Sequence, residues 1–519
     1  MASPIILDGV RTRPADIADI AIAGARVSLD PGGLDRALAS YKAAKEIAAR
    51  RPVYGRTTGV GANRTEAVAA GEEDVHGLRL LRSHAGGIGP REPDVHVRAM
   101  LAVRANQILA GGAGLRPAFA EALARALNSG NLPEIREVGA IGTGDLTALA
   151  ETGLTLIGER PWAVHPMPAP ARTGEPHPQG GEGGAPPPAE PTARRHTGPL
   201  RRSAPPEPLR LEAGDALAFC SSSAMTIGQA ALAWSEIATL LRAAGATAAL
   251  SLFAVDGGTE PYDARVHAGR PHPGAVAAAA EMRRLLGGPR ATPSRVQDPF
   301  GYRCLPQVHG AATEAADALE RVLGVEINAA AENPLFSAAG GTVHHHGGFH
   351  QAALGLALDH LRLALLQAAH LSAARLATLM EPGYTGLRPF LAGDAPAASG
   401  AMILEYSANS ALARLRGAAQ PASLGHAVLS RGMEDHASFA PQSARQTLDA
   451  AGCYRLVLAC ELVAAVRALR LRGTAPGPST PAGAAFALAA ARLDPRDEDR
   501  PLGSDVDTAA HLLDTLAVL

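Results

Sequence analysis

Aromatic residues make up only 3% of the 519-residue chain, and cysteines number four. Sheet sandwiches draw on β-branched and aromatic side chains that pack on a pleated surface, so this scarcity argues against that architecture. Cys220, Cys304, Cys453 and Cys460 form no CxxC pair, which gives neither a disulfide framework nor a metal-binding cysteine spacing. An excess of either charge is also absent: 48 Lys and Arg face 50 Asp and Glu, for a net charge of −2. Without a polybasic footprint, neither nucleic acid nor an acidic membrane is expected as a partner. The start, MASPIILDGVRTRP, lacks a basic-then-apolar signal, so a cytoplasmic location is expected. The longest apolar stretch, residues 351–380, carries Asp359, His360, Arg362, His370 and Arg375. That is too much charge for a membrane span, and the stretch reads as a buried helix.

What is present is alanine and apolar bulk. Hydrophobic residues reach 47%, enough for a large core, and the abundance of alanine favours close-packed helices. An all-α fold is expected, with a long central helix bundle and a loop-rich N-terminal region. A short strand at IILD precedes a helix over LDRALASYKAAKEIAARR that ends before Pro52. Helices are expected through 94–128, over 308–380 with two interruptions, over 443–473 and over 478–493. Residues 161–208 are rich in Pro, Gly, Ala and Arg with almost no large apolar residues. Such a segment cannot bury a core, and 163–206 reads as a disordered surface insertion. The chain thus divides into a loop-rich N-terminal region (1–160), the insertion (161–208) and a helical bundle (209–519), forming one structural subunit.

Residues 138–158, VGAIGTGDLTALAETGLTLIG, organise the rest. Gly139, Gly142 and Gly144 precede Asp145, an N-cap residue type, and apolar residues then recur at helical spacing. A tight loop feeding a helix is the plain reading. The positive end of that helix would favour a developing negative charge at the loop, and a turn that merely needs positive φ is the alternative. In VYGRTTGVGANR, Tyr54 precedes a loop punctuated by Gly55, Gly59 and Gly61. A tyrosine packing its ring with the hydroxyl in water competes there with a functional phenol.

LPEIREVGAIGTGDLTALAETGLTLIGE resembles the loop of the histidine/phenylalanine ammonia-lyase family, and the other motifs follow in the family's order over nearly the whole chain outside 161–208. In that family an Ala-Ser-Gly triad before Asp-Leu cyclises and loses two waters to become the electrophile methylidene-imidazolone. Aligned on Gly-Asp-Leu, the triad here is Gly142-Thr143-Gly144, so dehydration would give an ethylidene whose extra methyl shields the reacting carbon. No external cofactor is implied. Tyr54 matches the family's Tyr-Gly-x-x-Thr-Gly tyrosine, the base that removes the substrate's β-proton, which requires neighbours that depress its pKa. His84, in SHAGGIG, matches a pocket residue that accompanies histidine or tyrosine substrates; a helix-end histidine is the bland reading. Ser221 stands where the family has an asparagine that assists the prosthetic group, and a helix N-cap formed by the serine run Ser221-Ser222-Ser223 is the alternative. In VQDPFGYRCLPQ, Gln297 and Arg303 match, Arg303 as the clamp on the substrate carboxylate. Phe300 replaces a tyrosine that aligns the amine, and whether Tyr302, two residues on, takes its place stays open on the sequence. Phe349, in HHHGGFH, matches an aromatic that contacts the electrophile. Glu434, in MEDH, matches a carboxylate facing a substrate imidazole, with Met433 in place of glutamine; a solvated surface carboxylate is the alternative.

No metal is expected. His267 and His272 lie beside arginines and a proline without a helical ligand spacing, and His344-His345-His346 reads as a surface turn. The resemblance implies a homotetramer with pockets built from several subunits, an amino acid substrate, and elimination of ammonia to an α,β-unsaturated acid, or an aminomutase reaction. Two other readings stay open on the sequence. One is an enzyme that forms no methylidene-imidazolone and uses Tyr54, His84 and Glu434 for acid–base work on another substrate; the other is a catalytically silent homologue.

Overall fold

The computed structural model describes residues 3–69, 71–163, 204–288 and 295–519. The insertion expected at 163–206 falls, except for its edges, outside the described residues. Helices dominate, as the alanine content predicts. The longest are Ala440–Leu471, Ala224–Ala254 and Ala352–Met380, with Leu305–Glu326 and Asp94–Ala110 packed around them. One hydrophobic core runs from Leu7 to Ala517, so the N-terminal loop region and the bundle share an interior.

Small residues set the helix spacing. A methyl at Gly228 would lie 2.9 Å from the Ala99 carbonyl carbon and the Met100 nitrogen, so the helix Ala224–Ala254 touches the backbone of Asp94–Ala110 where only glycine fits. Of the residues that argue against a membrane span, Asp359, Arg362 and Arg375 are paired inside the bundle, while His360 and His370 are exposed. Arg362 meets Asp359 at 2.5 Å, and Arg375 grips Glu461 at 2.6 and 2.8 Å. By length and composition two helices could still cross a membrane, but most of each apolar window is buried inside the fold.

The strands are three short pairs. Ile5–Leu7 runs parallel to Val27–Leu29, while Ile88–Arg91 with Arg136–Val138, and Leu335–Ser337 with Thr342–His344, are antiparallel. Elements that depart from the sequence expectation include the strands Val27–Leu29, Ile88–Arg91 and Arg136–Val138. A helix at Pro14–Ile22 begins on a proline whose fixed φ suits a first helical turn. The interruption within 308–380 contains the last of these strand pairs, so His344 ends a strand and the histidine triplet is not a simple surface turn.

Candidate active site

The glycine loop forms as its composition requires. Gly142 and Gly144 take φ of +98° and +119°, values that L side chains rarely adopt, before the helix Leu146–Leu156. The loop is held from the far end of the chain: the carbonyls of Ala140, Ile141 and Gly142 accept from Gln442 Nε2, the Phe439 amide and Ser438 Oγ. Asp145 occupies the N-cap position without capping its own helix. Its buried carboxylate instead accepts the Thr226 amide at 2.8 Å and the Thr226 hydroxyl at 2.9 Å, capping the helix Ala224–Ala254. Burial pushes the Asp145 carboxyl up to about 6, against the opposing bonds from Thr226.

Tyr54 lies beside the 59–63 loop. Its phenol oxygen accepts the Gly61 amide at 2.7 Å, and the neighbouring Ala62 amide donates to Ser430 Oγ at 3.0 Å. These bonds bring the 429–434 turn against Tyr54, where a backbone bridge between Leu429 and Glu434 presents the carboxylate. Burial raises the Tyr54 pKa above its ordinary value; the Gly61 bond opposes the rise and the Glu434 charge adds to it. The expected depression of this pKa is therefore not met within one chain, because the phenol is desolvated with a single amide and a distant cation to stabilise its anion.

The serine run connects to the opposite side of this group. Within the serine run, Ser223 takes the N-cap position of Ala224–Ala254 without a side-chain cap bond, while Ser221 ends the helix Asp215–Cys220 and its hydroxyl accepts the Asn333 amide at 2.9 Å. Asn333 Oδ1 in turn accepts the His346 amide at 3.0 Å, and His345 Nε2 accepts the Tyr54 amide at 3.3 Å. Beneath them Arg104 is fully buried, with Glu332 at 2.7 Å and the carbonyls of Ala218 and Phe219. Glu332, Asn333 and Ser438 were not selected from sequence, because their partners are distant in the chain. Phe349 is half-buried, next to a contact of 3.0 Å between His350 Nε2 and His436 Nδ1 that joins its loop to the one bearing Glu434.

A second cluster stands apart. Arg303 stacks its guanidinium 4.4 Å from the Phe300 ring, its Nε is buried without a partner, and Gln297 is exposed. No hydrogen bond, ion pair or ring contact among the described residues joins these three to Tyr54. Tyr302 does not substitute for the missing tyrosine: it is buried, shares a 2.8 Å bond with Thr378 Oγ1, and burial raises its pKa strongly. His84 closes the helix Glu73–His84 with Nδ1 2.9 Å from the Leu80 carbonyl, in the helix-end arrangement. Chemically, the Tyr54 group offers a phenol whose oxygen receives an amide beside a carboxylate, and the Arg303 group offers a cation for an anionic ligand.

A model of the aromatic amino acid lyase family matches residues 12–491. A histidine ammonia-lyase of Symbiobacterium thermophilum is 35% identical over 505 residues, covering 96% of this chain and 94% of its own. Among solved structures, histidine ammonia-lyase of Trypanosoma cruzi superposes with a TM-score of 0.85 at 26% identity, over 99% of this chain and 94% of the other. Tyrosine aminomutase of Streptomyces globisporus gives a TM-score of 0.85 at 27% identity, over 99% and 97%. With a family match across most of its length and a relative this similar over nearly all of it, the chain belongs to the aromatic amino acid lyase family.

Proposed function

We propose that the protein is a cytoplasmic ammonia-lyase or aminomutase acting on a histidine-like or tyrosine-like amino acid. The observation that carries the reading is the Tyr54 phenol oxygen, held by the Gly61 amide at 2.7 Å with Glu434 close by. An amide donor on the oxygen favours the phenolate that a base must become.

The glycine loop fits the family's prosthetic group. Ring closure needs a carbonyl, a β-hydroxyl that can leave as water and a free amide. Gly142, Thr143 and Gly144 supply them in order, and neither the Thr143 hydroxyl nor the Gly144 amide is hydrogen-bonded to a described residue. The group would supply an electrophile for the substrate amine. This chain's own residues do the rest: Tyr54 takes the β-proton, Arg303 pairs with the carboxylate and Glu434 faces the side chain. In a homotetramer the Arg303 cluster of one subunit would complete the Tyr54 group of another, which accounts for their separation within one chain.

Intact-protein mass together with product absorbance tests the reading. L-histidine and L-tyrosine are supplied in turn, and one of them should yield an α,β-unsaturated or β-amino acid with a protein lighter than its sequence by two waters. An unmodified protein that turns over neither would overturn it.

A further inference from the structure

Three successive carbonyls of the glycine loop are each held by a different donor from residues 438–442: Gln442 Nε2 on Ala140 at 2.8 Å, the Phe439 amide on Ile141 at 2.9 Å, and Ser438 Oγ on Gly142 at 3.2 Å. Ser438 is buried, and its oxygen also receives the Ala440 amide at 3.3 Å, which aims its proton at the loop. A methyl at position 142 would lie 2.1 Å from that oxygen and 2.9 Å from the Phe439 nitrogen. The Ser438 hydroxyl thus occupies the space an alanine would need, and Gly142 is what lets it reach the carbonyl. On the other side of the prospective ring, the Gly144 amide and the Thr143 hydroxyl hold no hydrogen bond to a described residue. The acceptor carbonyl is polarised and fixed, while the attacking nitrogen and the leaving hydroxyl are free.

We propose that Ser438 is the hydrogen-bond donor that drives ring closure in this chain, acting on the Gly142 carbonyl. The inference rests on the proposed function. The step balances without an oxidant. The Gly144 nitrogen forms a bond to the Gly142 carbonyl carbon, and the carbonyl oxygen leaves as water with one hydrogen from the Gly144 nitrogen and one from the Thr143 nitrogen. The Thr143 hydroxyl leaves with the Thr143 α-hydrogen as a second water, creating the exocyclic double bond. Ser438 stabilises the charge gathering on the carbonyl oxygen and keeps its own proton.

The test follows intact mass over time after cell-free synthesis of the full chain, for the wild type, Ser438→Ala and the near-isosteric Ser438→Cys, whose thiol is a poor donor. The wild type should lose two waters, and both variants should lose them roughly ten-fold more slowly, the scale of one net hydrogen bond, with unchanged circular dichroism. Wild-type rates in Ser438→Ala would overturn the proposal while leaving the function intact. A wild-type rate in Ser438→Cys alone would mean that the side chain acts by packing and overturns the donor role; if Ser438→Ala does not fold, Ser438→Cys decides. A wild type that never loses mass overturns the functional reading, and the role of Ser438 falls with it.

Discussion

Tyr54 is held neutral in the single chain, because burial outweighs the one amide that supports its anion. A base must lose its proton before it acts, and a raised pKa places that loss above the ordinary phenol value of 10.0. Tyr54→Phe should cost about 10²–10⁴ in kcat while leaving substrate binding measurable. At Arg303, lysine would lose both the bidentate fork and the stacking on Phe300 seen at 4.4 Å. Arg303→Lys should weaken amino acid binding by about 1.5–3 kcal/mol, measured calorimetrically, and unchanged affinity would mean that the carboxylate is held elsewhere. Tyr54 was legible in the sequence because its glycines lie within seven residues, as does the Gly61 amide it binds. Ser438 was not, since nothing local distinguishes a serine before Phe439 from any other. Reinstating alanine at 142, which the resemblance alone would suggest, is opposed by the backbone nitrogen of Phe439 as well as by the serine.

Among the elements, Asp145 joins two helices by standing at the start of one and capping the other. Asp145→Ala would strip the Thr226 amide of its partner and should cost about 1–2 kcal/mol in urea unfolding. Its titration carries a definite sign. The folded carboxyl, at about 6 against an ordinary 3.8, binds its proton more tightly than the unfolded one. This favours folding at low pH and is lost as pH rises from about 4 to 6. Asp145→Asn should therefore lose this fall, so that its stability relative to the wild type improves between pH 4 and pH 7 by on the order of 1–3 kcal/mol. Most of the long helices were readable, because alanine content and apolar spacing act locally. The strand pair at Leu335–Ser337 and Thr342–His344 was not. Three residues a side carry too little alternation to announce a strand, and the pair forms because the flanking segments are already held.

For the whole molecule, the Arg375–Glu461 pair is a keystone. Ser251 and Ser372 complete the Glu461 carboxylate, and Arg375 also donates to the Gly301 carbonyl within the short helix that bears Arg303. Glu461→Ala would leave a buried, unpaired guanidinium and should cost about 3–5 kcal/mol, seen as a large drop in melting temperature. Leu356 and Leu363 stay exposed on Ala352–Met380, as do Ile403 and Tyr406 on the helix Ile403–Ala418. Such a surface asks for neighbours, and light scattering should report a tetramer, whereas an active monomer would rule out a shared site. The contact between Gly142 and Ser438 bridges 296 residues. A ribosome adding roughly 5–20 residues per second needs about 15–60 s to travel from one to the other. The loop therefore leaves the exit tunnel before its donor exists, and ring closure is slower while the nascent polypeptide still lacks residue 438. Fragments released before residue 438 would then arm themselves roughly ten-fold more slowly than the full chain.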